Sequence, residues 1–197
     1  MIKSDMKQIF ISVIMLFVVQ VANAQMKDDF ETNKLGWTEY SSSKSEAIIL
    51  DGHMHLVSKN DDAALTVCYP ALDVTRNFEI RCDVVAKKID DDKTFGLVVN
   101  YFDDYNYTSF LVTEGLAWFK NVKGGKVEGQ IYAPIKLKEQ KKANVELRIK
   151  SSFQKIEFFV NGMKALERRF LHMESNGVAL IAGGKQKVDF DNFEITQ

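Results

Sequence analysis

The chain has 197 residues, 46% hydrophobic and 27% charged, a composition that excludes a disordered polymer and suits one folded domain. Its 26 basic and 27 acidic residues leave a formal net charge of −1, which removes the basic excess that general nucleic-acid binding requires. Two cysteines are too few for a four-cysteine zinc site or a disulfide-knit miniprotein.

The first segment reads as an export signal. Lys3 and Lys7 precede an apolar run from Ile9 to Val19, and Ala22-Asn23-Ala24 places small residues where a signal peptidase cuts. The run is short of the roughly twenty residues needed to cross a hydrocarbon core, and no cysteine follows it for lipid attachment. Cleavage after Ala24 therefore predicts an exported periplasmic or extracellular domain over residues 25–197, with no transmembrane anchor. Loss of Lys3, Lys7 and Asp5 leaves 24 basic and 26 acidic residues.

From Gln25 onward the periodicity is that of strands. His53 and His55 stand two apart before a first cysteine, Cys68. Phe78-Glu79-Ile80-Arg81-Cys82-Asp83-Val84 alternates apolar and polar, which gives a strand one core face and one solvent face. Asp90-Asp91-Asp92 reads as a solvated turn. Phe95–Phe102 and Tyr107–Val112 are apolar at both parities, as expected of mid-sheet strands with one face in the core and the other in a groove or under a second layer. Asn106-Tyr107-Thr108 matches the N-glycosylation pattern, which has meaning only in a host with that machinery. Trp118 to Lys120 follows on the next strand.

Lys136, Lys138, Lys141 and Lys142 form a split basic run, with room for a turn of helix before the next strand. Val145–Lys150 and Lys155–Val160 alternate again and predict a hairpin, with Val145, Leu147, Ile149, Ile156, Phe158 and Val160 inward. Glu146, Arg148, Lys150, Lys155 and Glu157 then make a mixed-sign outer face. Asp51-Gly52, Asp103-Asp104, Lys123-Gly124-Gly125, Asn161-Gly162 and Asn176-Gly177 punctuate the apolar runs as turns. Twelve to fifteen short strands in one domain predict an all-β, antiparallel two-sheet sandwich.

Several segments together carry a resemblance. Asp28-Asp29-Phe30-Glu31 with Gly36-Trp37, Phe78-Glu79-Ile80, Phe95-Gly96-Leu97-Val98, Asp103-Asp104-Tyr105-Asn106-Tyr107, Phe158-Phe159-Val160-Asn161-Gly162 and Phe190-Asp191-Asn192-Phe193-Glu194-Ile195 occur in that order. They resemble bacterial secreted domains of the concanavalin A-like lectin/glucanase jelly roll. The resemblance implies two curved sheets, one concave, and often a carbohydrate on the concave side. The glucanases of that fold carry a Glu-x-Asp-x-x-Glu signature that this chain lacks. Glu146 and Glu157, on neighbouring predicted strands, remain the residues a hydrolase or lyase would have to use.

A sugar-binding face needs aromatic rings to stack on and polar groups to bond the ring's rim. Asn100, Tyr101, Tyr105, Tyr107, Ser109, Trp118 and Lys120 offer that mixture on consecutive strands. The competing reading is aromatic packing in the core. Asp28, Asp29, Asp189 and Asp191 would come together if the terminal strands pair, an oxygen cluster suited to a structural calcium such as similar jelly rolls often hold. The alternative is that they blunt edge strands. His53 and His55 share a face but lack a third ligand nearby. Cys68 and Cys82 are either a disulfide between neighbouring strands or two buried thiols. The functional expectation is an exported, non-catalytic module binding a polysaccharide or other glycan. The alternatives are an envelope or extracellular domain with a protein partner, and a glycoside hydrolase or lyase.

Overall fold

The computed structural model describes residues 25–61, 63–87, 90–137, 143–152, 155–169 and 172–197. Residues 1–24, read above as an export signal, and most of the basic run Lys136–Lys142 lie outside them. In chain order the first strands are β1 (Gln25–Asp28), β2 (Tyr40–Ser41), β3 (Ser45–Leu50), β4 (His53–Ser58) and β5 (Ala64–Cys68). There follow β6 (Phe78–Ala86), β7 (Thr94–Asp103), β8 (Asn106–Val112), β9 (Leu116–Lys123) and β10 (Lys126–Pro134). The last are β11 (Ala143–Ser151), β12 (Lys155–Val160), β13 (Met163–Arg169), β14 (Gly177–Gly183) and β15 (Lys187–Thr196). Among the described residues there is no helix, and so none long and apolar enough to cross a membrane.

The strands form two antiparallel sheets. One has nine strands, in the order β13-β12-β11-β6-β15-β4-β3-β2, with β1 also paired to β15; the other has six, in the order β10-β9-β8-β7-β14-β5. β5, the β7–β10 meander and β14 belong to the second sheet while the strands around them belong to the first. The chain therefore crosses repeatedly between layers, as a jelly roll does.

Alternation decides which side chains meet between the sheets. The predicted hairpin is β11–β12, paired with Ile149 opposite Phe158, and its six expected inward residues are all buried. The facing sheet contributes Phe95, Leu97, Val99, Phe110, Phe119 and Leu180 to the same core. Phe110 meets Phe158 across the sandwich with ring centroids 5.1 Å apart. Burial of such a side chain contributes about 1.5–3 kcal/mol.

Asn161 and Gly162, with φ of 50° and 75°, and Asp51 and Gly52, with 51° and 69°, make the left-handed two-residue turns expected of them. Asn176-Gly177 differs. Gly177 opens β14, and a Cβ there would lie 2.2 Å from the carbonyl oxygen of Tyr101, so close strand approach is what demands this glycine.

Cys68 and Cys82 are free and fully buried, one in each sheet. Burial, with the Asp28 charge behind it, pushes the Cys68 thiol up. Burial does the same to Cys82, whose thiol donates to the carbonyl of Asp191 at 3.3 Å. A thiol that stays protonated is a poor nucleophile. An aromatic disulfide reagent is expected to find no reactive thiol in the folded protein and two after denaturation; none after denaturation would mean a bridge.

Candidate functional site

The six-stranded sheet has a second organised face, turned away from the core. On β7 and β8 the alternate parity carries Val98 and Leu111, on β9 Trp118, and on β14 Ala179 and Ile181. With Val67, Tyr101, Leu65 and Tyr107 these make a second apolar cluster. Strands apolar at both parities, as predicted for 95–102 and 107–112, are thus central strands of a sheet with two apolar faces.

Strand register sorts the face into rows that run across the strands. One row passes Leu65, Ile181, Gly96, Leu111, Trp118 and Tyr132 from β5 to β10. Its neighbour passes Val67, Ala179, Val98, Ser109, Lys120 and Gln130. Both rows are aliphatic at the β5 end and aromatic or polar at the β10 end. In a third level Tyr101 and Tyr107 lie nearly parallel with centroids 6.4 Å apart.

The aromatic end has the geometry of a platform. Trp118 and Tyr132 are 4.9 Å apart and tilted by 43°, and Lys120 Nζ lies 5.5 Å from the Trp118 ring. Tyr132 is 62% exposed. The Tyr101 hydroxyl donates to Asp104 at 2.6 Å; burial and that bond hold it well above the usual phenol range. Burial, then the Asp104 charge, raise Tyr107 as well. The Tyr101 proton is thus spent on Asp104, whereas the Tyr107 hydroxyl keeps its proton to donate.

Of the seven residues expected to form this site, five share the face: Tyr101, Tyr107, Ser109, Trp118 and Lys120. The other two do not. Asn100 sits in a bulge of β7 at φ 53°, and its side-chain oxygen accepts the backbone N–H groups of Glu174 and Ser175 at 2.8 and 2.9 Å. Tyr105 is exposed at the tip of the β7–β8 hairpin, where its carbonyl accepts from Gly125. Tyr132 and the aliphatic half of the face were not anticipated. The alternation of exposed and half-buried positions along β10 holds the signal for Tyr132, but only the β9–β10 register brings it beside Trp118.

The four aspartates expected to bind calcium are not brought together as one ligand set. Asp28 accepts from Phe30 N and Leu35 N, both at 3.0 Å, and from the Trp37 indole at 3.2 Å. Asp29 pairs with Lys34; the Lys34 bond holds its carboxyl below the usual range. Asp189 lies 2.6 Å from His55 Nδ1, and Asp191 bonds Asn192. Although β1 does pair with β15, Asp28 stands opposite Phe193; Asp189 and Asp191, two apart on β15, share a face with each other and lie against His55 and His53. Among the described residues no group of three or more His, Cys, Asp or Glu is arranged to hold a metal ion.

His53 and His55 do share a face, their rings 6.0 Å apart. His55 Nε2 lies 2.9 Å from the Leu50 carbonyl and His53 Nδ1 2.7 Å from that of Asp51, so backbone oxygens already occupy these rings. Glu157 is opposite Lys150, four residues along the strand from Glu146, which at about 3.3 Å per residue separates the two levels by roughly 13 Å. Glycosidase carboxylate pairs lie about 5–9.5 Å apart. Glu157 is instead bonded by Lys155 and Lys164, which hold its carboxyl below the usual range.

Neither any protein-family model nor any curated protein sequence matches the chain. Solved structures do. A carbohydrate-binding module from Bacillus subtilis superposes with a TM-score of 0.61 at 12% identity, over 82% of this chain and 96% of that one. The carbohydrate recognition domain of Emp47p gives 0.64 at 14% identity, over 88% and 94%. A xylan β-1,4-xylosidase from Bacillus halodurans gives 0.65 at 17% identity over 87% of this chain, which corresponds to 39% of the enzyme. The fold is that of the concanavalin A-like jelly rolls, as the sequence resemblance implies.

Proposed function

We propose that this is an exported, non-catalytic module that binds a polysaccharide across the outer face of its six-stranded sheet. One observation carries the reading: a sheet face with Trp118 and Tyr132 as adjoining rings, and with Lys120 and Gln130 in the next row. Aromatic rings offer apolar area to the C–H face of a sugar, and the polar row offers partners to its hydroxyls. The structural likeness to a carbohydrate-binding module and to a carbohydrate recognition domain supports the ligand class; because one fold hosts many functions, the residues of the face carry the reading. The near-neutral charge suits a glycan better than a polyanion.

Because the rows cross six strands spaced about 4.8 Å apart, the face spans roughly 24 Å between its outer strands. A chain of several sugars fits that length better than one ring. Calorimetric titration with soluble plant and microbial polysaccharides tests the reading, run beside Trp118→Ala. At least one polysaccharide is expected to bind, and Trp118→Ala to weaken it by about 10- to 100-fold, since stacked anchors of this kind carry roughly 1.5–3 kcal/mol. Binding untouched by the substitution sinks the proposal.

A further inference from the structure

We propose that a cleft at the strand ends of the same sheet is a second binding site, shaped for a single neutral sugar ring or another small polyol. It has a volume of about 360 Å³ and is lined by Asn100, Phe102, Asn121, Glu128, His172 and Glu174 among others. Binding pockets run from roughly 300 to 1,000 Å³, so this one is sized for a small ligand. Thr108 and Asn121, which also line it, share the parity of Phe110 and Phe119. Tyr107 and Val122, of the opposite parity, line it too, so the cleft sits at the strand ends of the meander, with neither Trp118 nor Lys120 in its lining.

The walls are built. The bulge of β7 between Val99 and Asp103 puts Asn100 in a left-handed conformation, and bulges re-aim side chains in this way. The Asn100 side-chain oxygen holds the Glu174 and Ser175 amides, while Ser175 Oγ donates to the Tyr101 carbonyl at 2.6 Å. Since backbone N–H groups can bond only the oxygen of the carboxamide, the Asn100 NH2 must point the other way. Asn121 is oriented by the Thr108 hydroxyl, 3.1 Å from its side-chain oxygen. Neither NH2 has a partner among the described residues. Nor, among them, does the side chain of Glu128, Glu174, His172 or Lys123 have an ion pair or hydrogen-bond partner.

This inventory selects the ligand class. Unspent amide donors stand beside unspent carboxylate acceptors, the combination that satisfies hydroxyl groups, each of which both donates and accepts. Two glutamates disfavour an anion, and the polar lining disfavours an apolar molecule. Phe102, 67% exposed, supplies one ring for the C–H face of a sugar. The inference rests on the glycan reading only for the kind of molecule and concerns a different surface.

The test is a ¹H–¹⁵N NMR titration of the purified protein with D-glucose, D-galactose, D-mannose, D-xylose and L-arabinose in turn. At least one is expected to shift, saturably, the side-chain amides of Asn100 and Asn121 and the backbone amides of 172–175. Asn121→Ala is expected to weaken that sugar about tenfold, the loss of one or two hydrogen bonds, and Trp118→Ala to leave it within about twofold. Glu128→Gln, at an exposed position, reads the same loss if Asn121→Ala fails to fold. Absence of any saturable shift, shifts unchanged in both cleft variants, or shifts abolished by Trp118→Ala overturns the proposal. Persistence of the cleft shifts in a protein that binds no polysaccharide would uphold the cleft and reject the sheet-face reading.

Discussion

Asp28→Ala is expected to destabilise the domain by about 3–5 kcal/mol, among the larger effects a single substitution has. Asp28 is 1% exposed and gathers three donors: the backbone of Phe30 and Leu35 and the indole of Trp37. Alanine would leave all three without their acceptor in a dry environment, and each unsatisfied buried group costs about 1–3 kcal/mol. The loss extends to the backbone. Phe30, buried in the core, adopts φ 53°, a conformation rare for a residue with a side chain. Asp28 holds it there through the short-range bond typical of aspartate turns. Trp37 in turn packs edge-on against Phe193 of β15 at 5.0 Å, so the first loop is tied to the last strand through this carboxylate. Urea unfolding followed by tryptophan fluorescence measures the effect. Asp29→Ala is the control: its ion pair with Lys34 is exposed, and loss of such a pair should barely move the midpoint. If the two variants melt alike, the latch assigned to Asp28 is wrong.

Gly96→Ala is expected to cost about 2–4 kcal/mol and to disturb both faces of the meander sheet. A Cβ on Gly96 would lie 1.9 Å from the carbonyl oxygen of Phe110 and 3.0 Å from the Cα of Leu111. Both neighbours are backbone, so no rotamer change relieves the clash and β7 and β8 would have to part. Gly129→Ala on β10 is the informative comparison, because a Cβ there meets nothing within 4 Å. It should be neutral or slightly stabilising through the unfolded chain. Thermal melts of the two variants beside the parent separate the cases, and equal midpoints would mean that β7 and β8 do not approach as described. Since Gly96 belongs to the row of Leu111 and Trp118, its alanine variant should also weaken any ligand of that face.

The sandwich was legible because its signals are local. Alternation in β6, β11 and β12, left-handed turns at Asp51-Gly52 and Asn161-Gly162, and doubly apolar runs in β7 and β8 each follow from the period-two geometry of a strand. Half of the site followed for the same reason: Trp118 and Lys120 share a parity, and Ser109 and Tyr107 share another on the adjacent strand of the meander. The misplacements share a cause as well. Alternation alone would put Asn100, and not Tyr101, on the face of Val98; the bulge between Val99 and Asp103 reverses this, setting Tyr101 with Val98 and turning Asn100 away, and Tyr105 falls at a hairpin tip where parity has no meaning. Asp28 looked like a metal ligand because a carboxylate near another chain end suggests a cation. Its true partners are three N–H groups brought to it by the path of the loop.

By itself the sequence determined the class of fold, the inward residues of the regular strands and the positions of the tight turns, since each depends only on neighbours within a few residues. Tertiary structure decided everything that depends on register between distant strands. It set Leu65 and Ile181 in one row with Trp118 and Tyr132, spent the Asp28 carboxylate on the first loop, and walled the end cleft with the Glu174 and Ser175 segment that Asn100 anchors. The physical reason is that pairing between strands far apart in sequence is settled by the packing of the whole core, and a one-residue change of register would turn every one of these side chains to the opposite face.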